Sequence, residues 1–304
     1  MKSNTSKQSS LIRYAWLSIS AAVITIMLKA GAYLLTDSIG LLSDAMESFI
    51  NLVGALMALA MLTIAARPAD KDHPYGHNKA EYFSSGVEGS LILIAAVTIG
   101  ITAIERLYTP KPLEQIGFGL IVSVLASLIN LFVALVLLKA SKEYHSITLE
   151  ADAQHLMTDV WTSVAVLIGV GMVALTGWER FDPIVALIVA GNIVWSGIQI
   201  IRKSILGLMD TALPVETLHM IHAVLDIYKQ NGIEYHEILT RQSGSRKFVS
   251  FHLLVPGEWT VQSGHVLLEC IEGDLCKSIP NLTVLIHLEP LDDPASWKDI
   301  TVAN

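Results

Sequence analysis

This 304-residue chain is short of charge: Asp, Glu, Lys and Arg make up 16% of it, where a soluble globular chain carries about 25%. The shortage excludes a chain that is water-soluble throughout, and it is uneven. Residues 11–202 run through long apolar stretches, whereas the remainder reads like an ordinary soluble domain. Basic patches are missing too. With a net charge of −8 and no cluster to neutralise phosphates, the chain has no nucleic-acid partner to expect. Cysteine is nearly absent: Cys270 and Cys276 are the only two, both in the soluble part and without metal-ligand spacing. They read as reduced core or surface thiols, which suits a cytosolic domain. Nor is there a cleavable signal peptide to expect, because the first ten residues are polar and the apolar run after them is long enough to span.

What the chain does have is apolar length. Hydrophobic residues make up 52% and mean hydropathy is +0.53. Spanning a bilayer takes about 20 apolar residues, and six segments qualify, at 13–35, 40–65, 83–107, 115–138, 147–176 and 183–201. Ten Lys and Arg residues, from Lys2 to Lys203, fall on one side of these spans, and only Arg106, Lys111 and Arg180 on the other. The richer side is expected to be cytoplasmic, which puts both termini there. An internal repeat joins the halves. Residues 38–51 (SIGLLSDAMESFIN) and 146–159 (SITLEADAQHLMTD) share Ser, Ile, Leu, Asp and Ala at an offset of 108. The two copies open the second and fifth helices, which then run antiparallel as a 3+3 inverted repeat.

Beyond residue 203 the periodicity changes. Residues 214–231 and 261–277 have helical period, while 234–242, 247–256 and 282–289 alternate as strands, with Gly244 at a hairpin turn. The expected organisation is a cytoplasmic tail (1–12), a six-helix membrane domain (13–203) and a C-terminal α+β domain of αββαβ order (204–304), with helices on one face of a sheet.

Ionisable groups inside lipid are costly and usually functional. Helix two carries Asp44, Glu47 and Asn51, and helix five carries Asp152, His155 and Asp159. Residues three and four apart share a helix face, so each trio forms a polar stripe. By rise along the helix, Glu47 and Asn51 reach a depth similar to His155 and Asp159. The one basic residue deep in a helix, Lys29, best matches Asp44. Interhelical hydrogen bonding or a proton relay would account for the stripes, and so would ligation. Two carboxylates, an imidazole and an amide form a tetrahedral N/O set whose charge balances a divalent ion, and imidazole with carboxylate suits zinc and its first-row neighbours.

Four segments, LLSDAMESFIN, HPYGHNKAEY at residues 73–82, ADAQHLMTD and LMDTALP, together with the six apolar runs, resemble the cation diffusion facilitator family over nearly the whole chain. The resemblance implies a transport site from two residues each on helices two and five, here Glu47, Asn51, His155 and Asp159. Helix five has the pair common among zinc-handling members, whereas Glu and Asn in helix two depart from the familiar pairs and widen the metal choice. It further implies a loop metal on Asp70, His73 and His77, and an inter-subunit salt bridge between Lys79 and Asp210. A cytoplasmic-domain metal site would draw on His236, His252, His265, His287 and Glu289. His145, His219 and His222 fall outside these patterns and read as surface.

The expected protein is a homodimer in the inner membrane, not an enzyme. It would export a divalent metal ion, zinc or iron(II) first and cobalt, nickel, cadmium or manganese otherwise. The lipid bilayer, protons and metal ions are its partners, with protons moving inward in exchange. The rivals are a metal sensor or store that does not transport, a membrane metalloenzyme and a carrier of organic cations.

Overall fold

The computed structural model describes residues 2–36, 39–109, 118–178, 180–229 and 232–298. The chain divides into two compact units, Met1–Leu206 and Gly207–Asn304.

Six long helices build the first unit: α1 (Lys2–Thr36), α2 (Ile39–Ala65), α3 (Ala80–Tyr108), α4 (Phe118–Tyr144), α5 (Ile147–Thr176) and α6 (Phe181–Leu208). The shortest have 27 residues, about 40 Å at 1.5 Å per residue, against roughly 30 Å of hydrocarbon. Residues 2–12, expected as a tail, extend α1 as helix. Among the described residues, four stretches are both long and apolar enough to cross a membrane: Leu11–Leu34, Ala80–Tyr108, Ile121–Tyr144 and Pro183–Leu208. α2 adds a shorter apolar stretch, Asn51–Ala65. Large apolar side chains face outward, with Ile94 at 63%, Phe132 at 65% and Trp195 at 65% exposure, a surface that suits lipid and not water.

Inside the bundle, α1 lies along α2 and α4 lies along α5, with α1 also on α4. α3 packs against α5 and α6 through Ile92, Ala96, Ala151, Ile193 and Ile200. Small residues set this closeness, as expected where lipid removes the hydrophobic drive between helices. A Cβ on Gly89 would stand 2.8 Å from Ile201 Cγ1 and 3.3 Å from the Ile201 backbone nitrogen. α3 and α5 start together: Ser146 Oγ donates to Glu81 Oε2, and Thr148 Oγ1 donates to the Glu81 carbonyl at 3.2 Å. They therefore run side by side in the same direction.

The second unit orders α7 (Val215–Tyr228), β1 (Glu234–Ser243), β2 (Arg246–Val255), α8 (Val261–Ser278), β3 (Leu282–Pro290) and a one-turn 3-10 helix, Pro294–Trp297. β1 pairs antiparallel with β2 across a two-residue turn in which Gly244 takes φ 56°, a conformation glycine adopts without strain. β2 pairs parallel with β3, which requires the α8 crossover. Alternation along β2 puts Val249, Phe251 and Leu253 against Ile221 and Leu225 of α7 and Ile271 and Leu275 of α8. Val284, Ile286 and Leu288 of β3 join the same core. The other face of the sheet carries the row of His236, His252 and His287 beside the row of Leu239, Ser250 and Leu285.

Gly89→Ala forces α3 and α6 apart and is expected to cost about 1–3 kcal/mol as an overpacked contact. The thermal midpoint of the purified protein in detergent should fall. Gly100→Ala, where nothing lies within 4 Å of the added methyl, should not lower it, and equal midpoints for the two variants would refute the packing assignment.

Candidate metal sites

Three buried side chains close the space between α2 and α5. Asn51 is 7%, His155 5% and Asp159 9% exposed. The Asn51 amide Nδ2 donates to Asp159 Oδ2, and Asn51 Oδ1 faces His155 Nε2 at 2.6 Å. The network fixes the protonation sense. Only the amide nitrogen can donate to a carboxylate, so Oδ1 must accept, and His155 must carry its proton on Nε2. His155 Nδ1 is left without a hydrogen-bond partner. Three of the four residues singled out in the two stripes thus meet. Glu47 and Asp44 lie on the described backbone of α2, but their side chains are outside the described residues.

Two other residues at this depth were not singled out from the sequence. Asn130 of α4, 4% exposed, donates from Nδ2 to the same Asp159 Oδ2 at 3.0 Å. Glu88 of α3 is 1% exposed, with neither carboxylate oxygen hydrogen-bonded. The available signal was Asn130 amid the apolar residues of α4, and Glu88 at helical spacing from Glu81, Ser84 and Ser85 of α3. Asp152 takes a hydroxyl as its partner, with Ser18 Oγ donating to Oδ1 at 2.9 Å.

The loop between α2 and α3 gathers Asp70, His73 and His77, one ligand atom from each lying within 4.8 Å of the others. His73 Nδ1 stands 3.2 Å from Asp70 Oδ1, and His77 Nε2 stands 3.4 Å from Oδ2. The turn itself sets this up, because the backbone N–H groups of Asp72 and His73 both donate to Asp70 Oδ1. The His73 N–H bond, with smaller help from the His73 and His77 rings, holds the Asp70 carboxyl below its usual range, so the carboxylate stays ionised at neutral pH and ready to ligate. Lys79 closes the loop as the N-cap of α3.

In the second unit, His236, His252 and His287 occupy one cross-strand row, His236 opposite His252 and His252 opposite His287. Glu289, two residues beyond His287, brings its carboxylate to all three. Oε2 lies 3.4 Å from His236 Nε2 and 3.2 Å from His252 Nδ1, and Oε1 lies 3.6 Å from His287 Nδ1. Donors on a tetrahedral zinc at about 2.0–2.1 Å stand roughly 3.3–3.4 Å apart; one ligand atom each from His236, His252 and Glu289 lies within 4.8 Å of the others, as in the loop, so each trio could hold one ion. A β-bulge after His236, with Glu237 at φ 49°, turns Glu237 Oε2 to 3.5 Å from His252 Nε2. Trp297 lies over His236, ring centroids 5.8 Å apart. Glu237 and Trp297 were not apparent from the sequence. His265 does not join the row within one chain; it pairs with Glu269 one helical turn on, at 3.9 Å. Asp210 accepts from Arg241 at 3.3 Å. His145, His219 and His222 are exposed.

Residues 15–209 match the cation efflux transmembrane domain, and residues 213–291 match the cytoplasmic domain of cation efflux proteins. The uncharacterized transporter sll1263 of Synechocystis sp. is 50% identical over 285 residues, 94% of this chain and 92% of that protein. The cation-efflux pump FieF of Serratia proteamaculans is 29% identical over 282 residues, 92% of this chain and 93% of that protein. Among solved structures, the metal-bound C-terminal domain of the CzcD transporter from Thermotoga maritima matches 26% of this chain and 93% of its own, at 27% identity and a TM-score of 0.25.

His252→Ala removes the central member of the row. Zinc titration of the purified protein should weaken by more than the roughly 10–100-fold typical of an outer partner, while Glu237→Gln should stay within that range. Unchanged binding in His252→Ala would remove the row from consideration as a metal site.

Proposed function

The chain belongs to the cation efflux, or cation diffusion facilitator, family of divalent-metal transporters, and from that premise we propose that it exports zinc or iron(II) from the cytoplasm in exchange for protons. Cobalt, nickel, cadmium and manganese are the other metals its ligand chemistry admits. Glu47, Asn51, His155 and Asp159 form the transport site. The observation that carries this proposal is the buried set of Asn51, His155 and Asp159, joined across α2 and α5 by their own hydrogen bonds.

The set gives exchange a physical basis. In the closed arrangement the His155 Nε2 proton and the Asn51 amide protons occupy the lone pairs a metal would use. A dication entering must break the Asn51–Asp159 bond and take the Nε2 lone pair, leaving the neutral imidazole its single proton on Nδ1. A second proton on His155, or one on a carboxylate, therefore competes with the metal for the same atoms. Asn51 Oδ1 is a neutral donor, which leaves the negative charge of the site to Asp159 and Glu47. Two carboxylates then balance two positive charges, and release to the far side is favoured once a proton returns to His155. Residues 13–203 serve as the transport domain working by alternating access. Residues 204–304, carrying the row of His236, His252, His287 and Glu289, serve as a cytoplasmic metal-binding and dimerisation domain, to which His265 contributes across the dimer. The loop ion on Asp70, His73 and His77 stiffens the start of α3, and Lys79 with Asp210 ties the subunits. The homodimer lies in the inner membrane with both termini cytoplasmic. The alternative is a membrane metal sensor or store, for which the histidine row alone would suffice.

Flux in proteoliposomes under an imposed pH gradient separates the two. Zinc and iron(II) should be carried by the parent, with initial rates in Asp159→Ala lower by more than about tenfold. No flux of any of the six metals, alongside tight binding by the histidine row, would replace the transporter with the sensor.

A further inference from the structure

Glu88 belongs to none of these ligand sets, yet it is among the most secluded polar side chains of the transmembrane unit. It is 1% exposed and neither carboxylate oxygen has a hydrogen-bond partner. Asp152, within its electrostatic reach, is 3% exposed, and its Oδ2 is likewise without a partner, Ser18 serving only Oδ1.

The surroundings place this pair relative to the transport site. Glu81, Ser84, Ser85 and Glu88 fall on one buried face of α3. That face meets α5 at Ser146 and Thr148, so two turns further along the parallel helices Glu88 comes level with Asp152. On α2, a Cβ at Gly54 would stand 3.9 Å from Glu88 Cγ, and Gly54 is one turn past Asn51. Asp152 is one turn before His155. Both steps, about 4.5 Å along the helix axes, lead toward the end of the bundle that holds the α2–α3 loop.

Ser18 of α1 bonds Asp152, and by helical spacing the nearest polar residues are Asn51 on α2, Ser84 on α3 and His155 on α5, with Glu81 a turn further along α3. On α6, Ser204 donates to the Tyr82 carbonyl and Lys203 is bonded to Glu150. Among the described residues no basic side chain is bonded to Glu88 or Asp152. Two carboxylates left anionic in such surroundings are too costly to keep.

We propose that Glu88 and Asp152 form a proton site distinct from the metal ligands, and that this pair holds a proton exchanged for the metal. The proposal rests on the exchange proposed above. A dication on His155 and Asp159, one turn away, expels the proton from the pair, and Ser84 and Glu81 mark its way to the loop end of the bundle. When the metal leaves, the pair reloads. Metal and proton are then coupled through charge and not only through shared ligands, so an amide at position 51 need not reduce the number of protons moved.

The test counts protons released per metal bound, with a pH dye and the full-length protein in detergent, for the parent, Glu88→Gln and Asp152→Asn. Each variant should bind zinc at high pH within about threefold of the parent, release about one fewer proton per ion, and show a slope of log affinity against pH lower by about one. An unchanged proton count in both variants overturns the proposal. So does a pH-independent loss of affinity beyond about tenfold, which would make the pair metal ligands. Labelling of the parent with dicyclohexylcarbodiimide, which attacks protonated carboxyls in apolar surroundings, guards against misfolded variants. An adduct on Glu88 or Asp152 at neutral pH, suppressed by zinc, supports the site, and its absence overturns it. If proteoliposomes carry zinc without counter-moving protons, the exchange in the proposed function fails, while the labelling still decides whether the pair holds a proton.

Discussion

Hydrocarbon offers a buried polar atom no water, so each such atom in the transmembrane unit must find its partner on another helix, on a proton or on a passing cation. That constraint organises the bundle. Ser146 and Thr148 of α5 answer Glu81 of α3, Ser18 of α1 answers Asp152, and Asn130 of α4 answers Asp159. Each bond ties together helices that apolar contact alone would not hold in register, since lipid solvates leucine as well as another helix does. The small residues follow from the same need. Gly86, Gly89 and Gly197 bring α3 and α6 close, and Ser204 reaches the Tyr82 carbonyl across that contact.

The C-terminal unit meets the opposite constraint. Water is available to its open sheet face, so three histidines in one cross-strand row are affordable there as they would not be in lipid. What brings them together is register. Pairing of β1, β2 and β3 sets His236, His252 and His287 side by side, and period-two alternation puts Glu289 on the same face. The core face, with Phe251 at 1% and Leu253 at 1% exposure, locks that register, because a slip of one residue would bury the histidines and expose the core.

The sequence showed most where one helix or strand carries its own answer. Hydropathy outlined the bundle, and i, i+4 spacing on the second and fifth helices put Asn51, His155 and Asp159 on facing stripes. His287 and Glu289 were legible as a same-face pair for the same reason. What escaped was contributed singly from elsewhere. Asn130 stands amid apolar residues and Glu88 shares a face of α3 with Glu81, Ser84 and Ser85, but helical spacing does not say which neighbouring helix either one faces. Glu237 reaches His252 only because a bulge turns it, and bulges leave little trace in alternation. His265 shows the limit from the other side. Its place on α8 was apparent, but helical spacing gives its own face and not its distance from a row of the sheet, and within one chain it pairs with Glu269.

Asn51 is the residue on which charge and mechanism turn. An aspartate there would have to take up a proton to stand against Asp159, whereas the amide bridges Asp159 and His155 as it is and lets the empty site close on itself. A site that closes when empty leaves the Asp159 carboxylate partnered inside the bundle. The consequence is a weaker ligand set, because an amide oxygen adds no charge to attract a dication. Selectivity must then come more from His155, whose imidazole prefers first-row transition metals to calcium or magnesium, than from the summed charge of the site. An amide at this position therefore trades affinity for a metal-free state in which Asp159 and His155 are already partnered.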